Sequence, residues 1–219
     1  MSRRLKTDIH GPDWRRGIDD LRERGIPAAF APELEPPLHL VVEIGFGRGE
    51  FLKDLAQRSP ETAFLAIDAS HKRVLKMARR LALGELRNIR LVAARAEIVV
   101  EDMLLPESVA CFWINFPDPW PKKRHHRRRL IQPQLIARLA TRLVPGGVVW
   151  AATDHVEYAQ QIHEVLSKED ALENDYAPAP WRREVPGRMV TAYELEWRAE
   201  GRTLHFFAYR RRPSASRSR

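Results

Sequence analysis

The stretch NFPDPWPKKRHHRRRL, Asn115 to Leu130, follows an apolar run from Val109 to Ile114. An apolar run that stops abruptly at a polar, proline-rich segment reads as the end of a buried parallel strand. Pro117, Pro119 and Pro121 each lack an N–H donor and fix their own φ, so neither a helix nor a sheet ladder continues through them. Held in that stiff segment is one carboxylate, Asp118, and then one large ring, Trp120. Lys122 to Arg129 follows at once, with six positive charges in eight residues and His125 and His126 between them. A rigid acid beside an aromatic ring, opening onto dense cations, describes a pocket for a heterocyclic base next to a seat for phosphates.

Working outward, strands and helices alternate. Leu38 to Ile44 is apolar and stops at a glycine series, after which Glu50 through Leu55 has helical spacing. Ala63 to Ile67 predicts a second strand ending at Asp68, followed by a basic amphipathic helix over His71 to Leu83. Arg90 to Ala94 predicts a third strand, Glu97 to Leu105 a short helix, and Cys111 to Ile114 the strand that feeds the proline loop. Helical spacing resumes from Ile131 to Leu143, Pro145-Gly146-Gly147 ends it, and Val148 to Ala152 predicts a fifth strand stopping at Thr153-Asp154. A last helix is expected over Val156 to Leu166. Alternation with short turns means an α/β fold, a mostly parallel sheet covered by helices on both faces. Val190 to Trp197 and Thr203 to Tyr209 each alternate polar with apolar around Glu200-Gly201, which predicts a C-terminal antiparallel hairpin on the sheet edge. Residues 1–37 are charged and proline-rich without sustained period and read as an N-terminal arm, with Arg3, Arg4 and Lys6 as added basic contacts. Residues 38–212 form the single domain, and 213–219 a basic, serine-rich tail.

At 219 residues, 44% hydrophobic and 30% charged, the chain suits one soluble core. Its net charge of +8 favours a polyanionic partner. No apolar run approaches the roughly 20 residues that span a bilayer, and the polar first residues do not read as a signal peptide. The single cysteine, Cys111, falls in a buried strand, where it reads as a small core residue and fits a reducing cytoplasm. His125 and His126 have no partner at metal-ligand spacing, so no metal is expected. Monomer and homodimer both remain open.

Glu43, Gly45, Gly47 and Gly49 make E-x-G-x-G-x-G at a strand end. Glycines there permit a sharp turn and let a ligand reach the main chain without meeting a Cβ. An acid just before them suits an amine-bearing ligand better than a pyrophosphate. Asp68, at the end of the next strand, is placed to hold ribose hydroxyls. A ligand with both an α-amine and a ribose, such as S-adenosylmethionine, fits better than NAD; a plain turn with a capping acid is the bland alternative. The proline loop lies at the same, carboxyl edge of the sheet, and Trp120 is free to stack on a base or to pack inward as an anchor.

Together, EIGFGRG at Glu43 to Gly49, NFPDPWPKKRHHRRRL, ATD at Ala152 to Asp154 and TAYE at Thr191 to Glu194 resemble the bacterial tRNA (guanine-N7)-methyltransferase family. The resemblance implies a Rossmann-like class I methyltransferase fold and methylation of guanine-46 in the tRNA variable loop, with S-adenosyl-L-methionine as cofactor. It implies that Glu43 and Asp68 bind the cofactor and that Asp118 is the catalytic residue, close to the cofactor as well. Lys122, Asp154 and Thr191, Ala192, Tyr193 and Glu194 would contact the tRNA. Where the family shows glycine and then Glu, this chain reads FLAIDAS around Asp68; where an acid or amide usually holds the adenine, it has Arg95. Glu97 or the backbone N–H of Ala96 is expected to take that adenine contact. Lys123, Arg124, Arg127, Arg128 and Arg129 are expected to track RNA phosphates. Arg95 keeps two alternatives open: the same chemistry on another RNA or a small N-heterocycle, and an inactive RNA-binding relative.

Overall fold

A computed structural model describes residues 8–213. The tail residues beyond 213, and Arg3, Arg4 and Lys6, lie outside the described residues. The elements in chain order are β1 (Arg15–Arg16), α1 (Ile18–Phe30), β2 (His39–Ile44), α2 (Glu50–Arg58), β3 (Thr62–Asp68), α3 (His71–Ala82), β4 (Ile89–Ala93) and α4 (Ala96–Asp102). They continue with β5 (Val109–Asn115), α5 (Pro133–Arg142), β6 (Leu143–Thr153), α6 (Val156–Ser167), β7 (Leu172–Asn174), α7 (Ala192–Ala199) and β8 (His205–Arg211). The basic run forms a short 3-10 turn, Lys123–Arg128.

One sheet of eight strands runs in the order β1-β4-β3-β2-β5-β6-β8-β7. The first six strands of that row are parallel, while β8 is antiparallel to both β6 and β7. Alternation along β2 explains the two layers. Leu40, Val42 and Ile44 join the core shared with α1, α4, α5 and α6; Val41 faces the core shared with α2 and α3. Because both faces are covered, β3 buries every residue from Ala63 to Asp68, which is why it reads as a continuous apolar run. Successive strands move one way from β2 through β4 and the other way from β5 through β6, so the order reverses between β2 and β5. A crevice opens beyond the carboxyl ends of strands at such a reversal.

Three features differ from the sequence reading. Residues before 38 contribute β1, which pairs with β4, and α1, whose Leu21, Ile26, Ala29 and Phe30 enter the main core. Helical period is hidden there because α1 breaks at Gly25 (φ 79°), with Pro27 just beyond, and the apolar phase resets across the kink. Secondly, Val190 to Trp197 is not a strand. Thr191 caps α7, its hydroxyl accepting the Glu194 N–H, so the segment Thr-Ala-Tyr-Glu is an N-terminal capping box that alternation had masked. The antiparallel edge is formed instead by β7 and β8. Thirdly, β6 begins at Leu143 and carries Pro145-Gly146-Gly147 within it, where its pairing with β5 shifts register.

Arg90 fastens the N-terminal segment to the sheet. Its fully buried guanidinium donates to the carbonyls of Ala29, Phe30 and Arg87 and to Glu33 at 2.6 Å, and it lies 4.6 Å from the Trp14 ring and 4.9 Å from the Phe30 ring. Replacing it removes donors from several buried carbonyls at once. Arg90→Ala is therefore expected to lower unfolding free energy by about 3 kcal/mol. Denaturant titration checks this, and a loss below about 1 kcal/mol would mean that α1 is held by apolar packing alone.

Candidate active site

The crevice between β2 and β5 begins with one acid and one amide. Glu43, one residue from the end of β2, is 3% exposed, and its Oε1 accepts from Asn115 Nδ2 at 3.3 Å. Its other oxygen is buried and accepts no hydrogen bond. Burial pushes the Glu43 carboxyl up to about 7, against the opposing pull of the Asn115 hydrogen bond and the Arg188 charge; the nearby Asp68 charge adds to the rise. Asp68 closes β3. One of its oxygens accepts the Ser70 N–H at 2.8 Å; the other is buried without a hydrogen bond, with the Arg73 guanidinium 3.5 Å away. Desolvated acceptors left without donors cost about 1–3 kcal/mol each, so two of them on neighbouring strand ends point to a ligand that brings donors.

The glycine turn supplies the space. Gly45 has φ 78°, and a Cβ there or at Gly47 would meet little: nothing within 4 Å at Gly45, and one backbone oxygen at 3.9 Å for Gly47. That open backbone faces a cleft of about 560 Å³. Gly49 serves another purpose: its φ is 74°, and a Cβ there would lie 2.5 Å from Met77 Sδ, so the Met77 side chain would have to turn aside.

Asp118 lines the same cleft and is exposed to it. The loop that carries it is held at both ends by left-handed residues, Phe116 (φ 51°) and Trp120 (φ 43°), an arrangement non-glycine residues rarely adopt. Phe116 is anchored by its N–H to Ala152 O (2.9 Å) and by edge contact with Trp197 (5.0 Å between ring centroids). Trp120 is covered on one side by Arg128, 5.1 Å from its ring, and meets the His125 edge at 5.8 Å. Thr191, Tyr193 and Glu194 reach the cleft from α7.

The structure therefore brings Glu43, Gly45, Gly47, Asp118, Thr191, Tyr193 and Glu194 to one cleft. Asp68 sits beside it, next to the lining residue Ser70. Ala96 and Glu97 open α4, after the strand that pairs with β3, and no side chain caps that helix. Arg95 swings outward, its side chain 72% exposed and paired with Glu97 at 3.1 Å. Asp154 ends the next strand and is paired with Arg202 at 2.7 Å. Lys122, Lys123, Arg124, Arg127 and Arg128 are exposed, while Ala192 donates its N–H to Glu50. Arg129 does not belong with the phosphate-facing cations. It is 3% exposed, donates to Pro119 O at 2.7 Å and to Gln161 at 2.6 Å, and lies over Tyr158, so it fastens the loop from behind.

Two residues escaped the sequence reading. Asn115 was visible only as the first letter of the loop, and Arg188 carried no signal at all. Arg188 donates to Glu194 Oε1 (2.6 Å) and to Asn115 Oδ1 (2.9 Å), stacked 4.6 Å from the Phe51 ring. A relay thus runs Glu43–Asn115–Arg188–Glu194–Thr191, from strand end to helix cap. Among the described residues, no group of three His, Cys, Asp or Glu side chains is placed to hold a metal, and no helix is long and apolar enough to cross a membrane.

Comparison with known proteins bears on the family and the fold. A family model described as "Putative methyltransferase" matches residues 38–207. The chain is 37% identical over 195 residues to the tRNA (guanine-N(7)-)-methyltransferase of Syntrophotalea carbinolica, covering 88% of this chain and 84% of that one. It is 39% identical over 209 residues to the tRNA (guanine-N(7)-)-methyltransferase of Burkholderia lata, covering 90% and 79%. Among solved structures, the 16S rRNA methyltransferase KamB superposes with a TM-score of 0.60 at 14% identity, covering 87% of this chain and 95% of that one, which speaks to the fold.

The raised Glu43 carboxyl yields a test on the ligand-free protein. An acid whose folded pKa stands above its ordinary value stabilises the fold fully below that ordinary value, and the contribution is lost as pH rises through about 7. Glu43→Gln, neutral at every pH, should therefore melt higher than wild type at pH 8. That advantage should shrink as pH falls towards 4. A melting difference that ignores pH would mean that the carboxyl titrates normally.

Proposed function

The chain belongs to the tRNA (guanine-N(7)-)-methyltransferase family, and on that premise we propose that the cleft between β2 and β5 holds S-adenosylmethionine against a guanine drawn from tRNA. The observation that carries this reading is the pair of buried, donor-hungry carboxylates, Glu43 and Asp68, beside a glycine backbone and an exposed acid. S-adenosylmethionine carries an α-amine for Glu43 and ribose hydroxyls for Asp68, so the donors match the orphaned acceptors. Gly45 and Gly47 let its chain lie against the backbone, and the start of α4 at Ala96 and Glu97 meets the adenine. When bound, the cofactor supplies an electrophilic methyl group on a sulfonium.

The rest is the work of this chain. Guanine N7 is a lone-pair nucleophile that loses no proton on methylation, so no strong base is required and alignment supplies most of the rate. Asp118 accepts from the N1–H and N2 amine of the guanine, fixing the ring and offsetting the positive charge it gains. Adenine lacks that adjacent donor pair, so the same carboxylate selects the base. Tyr193 and Thr191 close the cleft from α7, and Asp154 and Lys122 guide the strand beyond it. Lys123, Arg124, Arg127 and Arg128 hold phosphates without reading sequence. We assign the target to guanine-46 of the variable loop and the reaction to the cytoplasm, where tRNA is used. Arg95 is turned outward onto Glu97 and is not among the residues lining the cleft.

The decisive experiment is transfer of labelled methyl from S-adenosylmethionine to unmodified tRNA, with nucleoside analysis. Wild type should form N7-methylguanosine, and Asp118→Ala should retain cofactor affinity while losing about a hundredfold or more in rate. Cofactor binding with untouched tRNA would sink the substrate assignment. Arg127→Ala with Arg128→Ala should make the salt dependence of tRNA binding shallower by about 1.5 in log–log slope. An unchanged slope would remove the basic turn from the interface.

A further inference from the structure

The basic helix α3 touches the site through Arg73 beside Asp68, yet the rest of its charge is unaccounted for. His71, Lys72, Arg73, Lys76, Arg79 and Arg80 fall within its twelve residues, and no acid does. Its inner face, Val74, Leu75, Met77, Ala78 and Leu81, is buried, so all six basic side chains are exposed on the outside. Such a distribution costs stability twice. Cations in the first turn oppose the helix dipole, and Lys72–Lys76 and Lys76–Arg80 are like-charge pairs four residues apart. Arg73 is drawn to Asp68 and Arg80 donates to Arg48 O at 2.8 Å, but among the described residues Lys72 and Lys76 have no acidic partner within ion-pair distance.

Position gives the charge its meaning. Lys72, Lys76 and Arg80 line the cleft that contains Asp118, and the same three line a shallow groove along α3 that also takes in Leu75 and Leu83. Spaced four residues apart, they form one stripe along the helix, leading from the cleft to the outer surface. We propose that the stripe Lys72–Lys76–Arg80 is a second phosphate track, separate from the basic turn, on which the tRNA backbone lies as its guanine enters the cleft. This rests on the tRNA reading above. RNA, and not an anionic membrane, is the occupant because the stripe is continuous with the cleft that takes the base. With a cationic turn after β5 and a cationic helix after β3, the substrate is held from both sides of the acid that reads it.

The test is the paired neutralisation Lys72→Gln with Lys76→Gln, with Lys72→Arg and Lys76→Arg as the charge-preserving control. The neutral variant should bind tRNA with a log–log salt slope shallower by about 1.5 and raise the tRNA KM on the order of tenfold at 0.1 M salt, while the arginine variant keeps both. A thermal midpoint no lower than that of the wild type excludes unfolding as the cause, since removing two like-charged neighbours should if anything raise it. An unchanged slope and KM in the neutral variant would overturn the proposal. Loss of affinity for phosphatidylserine vesicles with tRNA binding intact would overturn it in favour of a membrane surface. A wild type that binds cofactor but shows no salt-dependent affinity for tRNA would overturn the parent reading instead, and that result is visible before any variant is made.

Discussion

One side-chain amide, that of Asn115, stands between a buried acid and a buried cation. Its Nδ2 donates to Glu43 and its Oδ1 accepts from Arg188, so a single neutral group satisfies both while keeping them from direct contact. With the amide interposed, one Glu43 oxygen remains without a donor, and burial pushes the carboxyl up to about 7. Arg188 in turn holds Glu194, and Glu194 completes the cap of α7 with Thr191. The end of β5, Glu43 near the end of β2 and the helix over the cleft are thereby positioned by one chain of hydrogen bonds.

Catalysis of this kind asks little acid–base chemistry of the protein and much geometry. The attacked nitrogen needs no deprotonation, so the scaffold's task is to keep a carboxylate, a heterocycle and a methyl donor in line. That task explains the stiffness around Asp118. Prolines at 117, 119 and 121 limit the backbone, left-handed Phe116 and Trp120 set the turn, and Arg129 clamps the loop from beneath through Pro119 O. Strain of this sort persists only where surrounding contacts over-determine it. Here Trp197, Phe206 and Tyr193 on one side of Phe116 and Arg128 on Trp120 provide those contacts.

Much of this was legible in the sequence. Strand and helix positions from 38 to 167 follow from period and punctuation, because a parallel sheet covered on both faces leaves apolar runs with abrupt ends. That Glu43, Asp68 and Asp118 fall at or beside one cleft was readable because each stands directly at or just past such an end. The misreadings have local causes. A kink at Gly25 broke the helical phase of α1, and a capping box looked like strand alternation in α7, since both patterns place a polar group every second or third residue. Arg129 was grouped with five neighbouring cations, although its environment differs entirely from theirs.

The fold class, the succession of elements from 38 to 167 and the residue types gathered at the strand ends are written in the linear pattern, because they depend on local spacing and on residue type. Which charges are spent and which are free is settled by three-dimensional packing. Arg129 and Arg188 are consumed in clamps, Asp154 is held by Arg202, and Lys72 and Lys76 are left facing the cleft. The physical reason is that a side chain's partners come from elements distant in sequence, and an electrostatic interaction is set by burial and by distance in space, neither of which a linear pattern records.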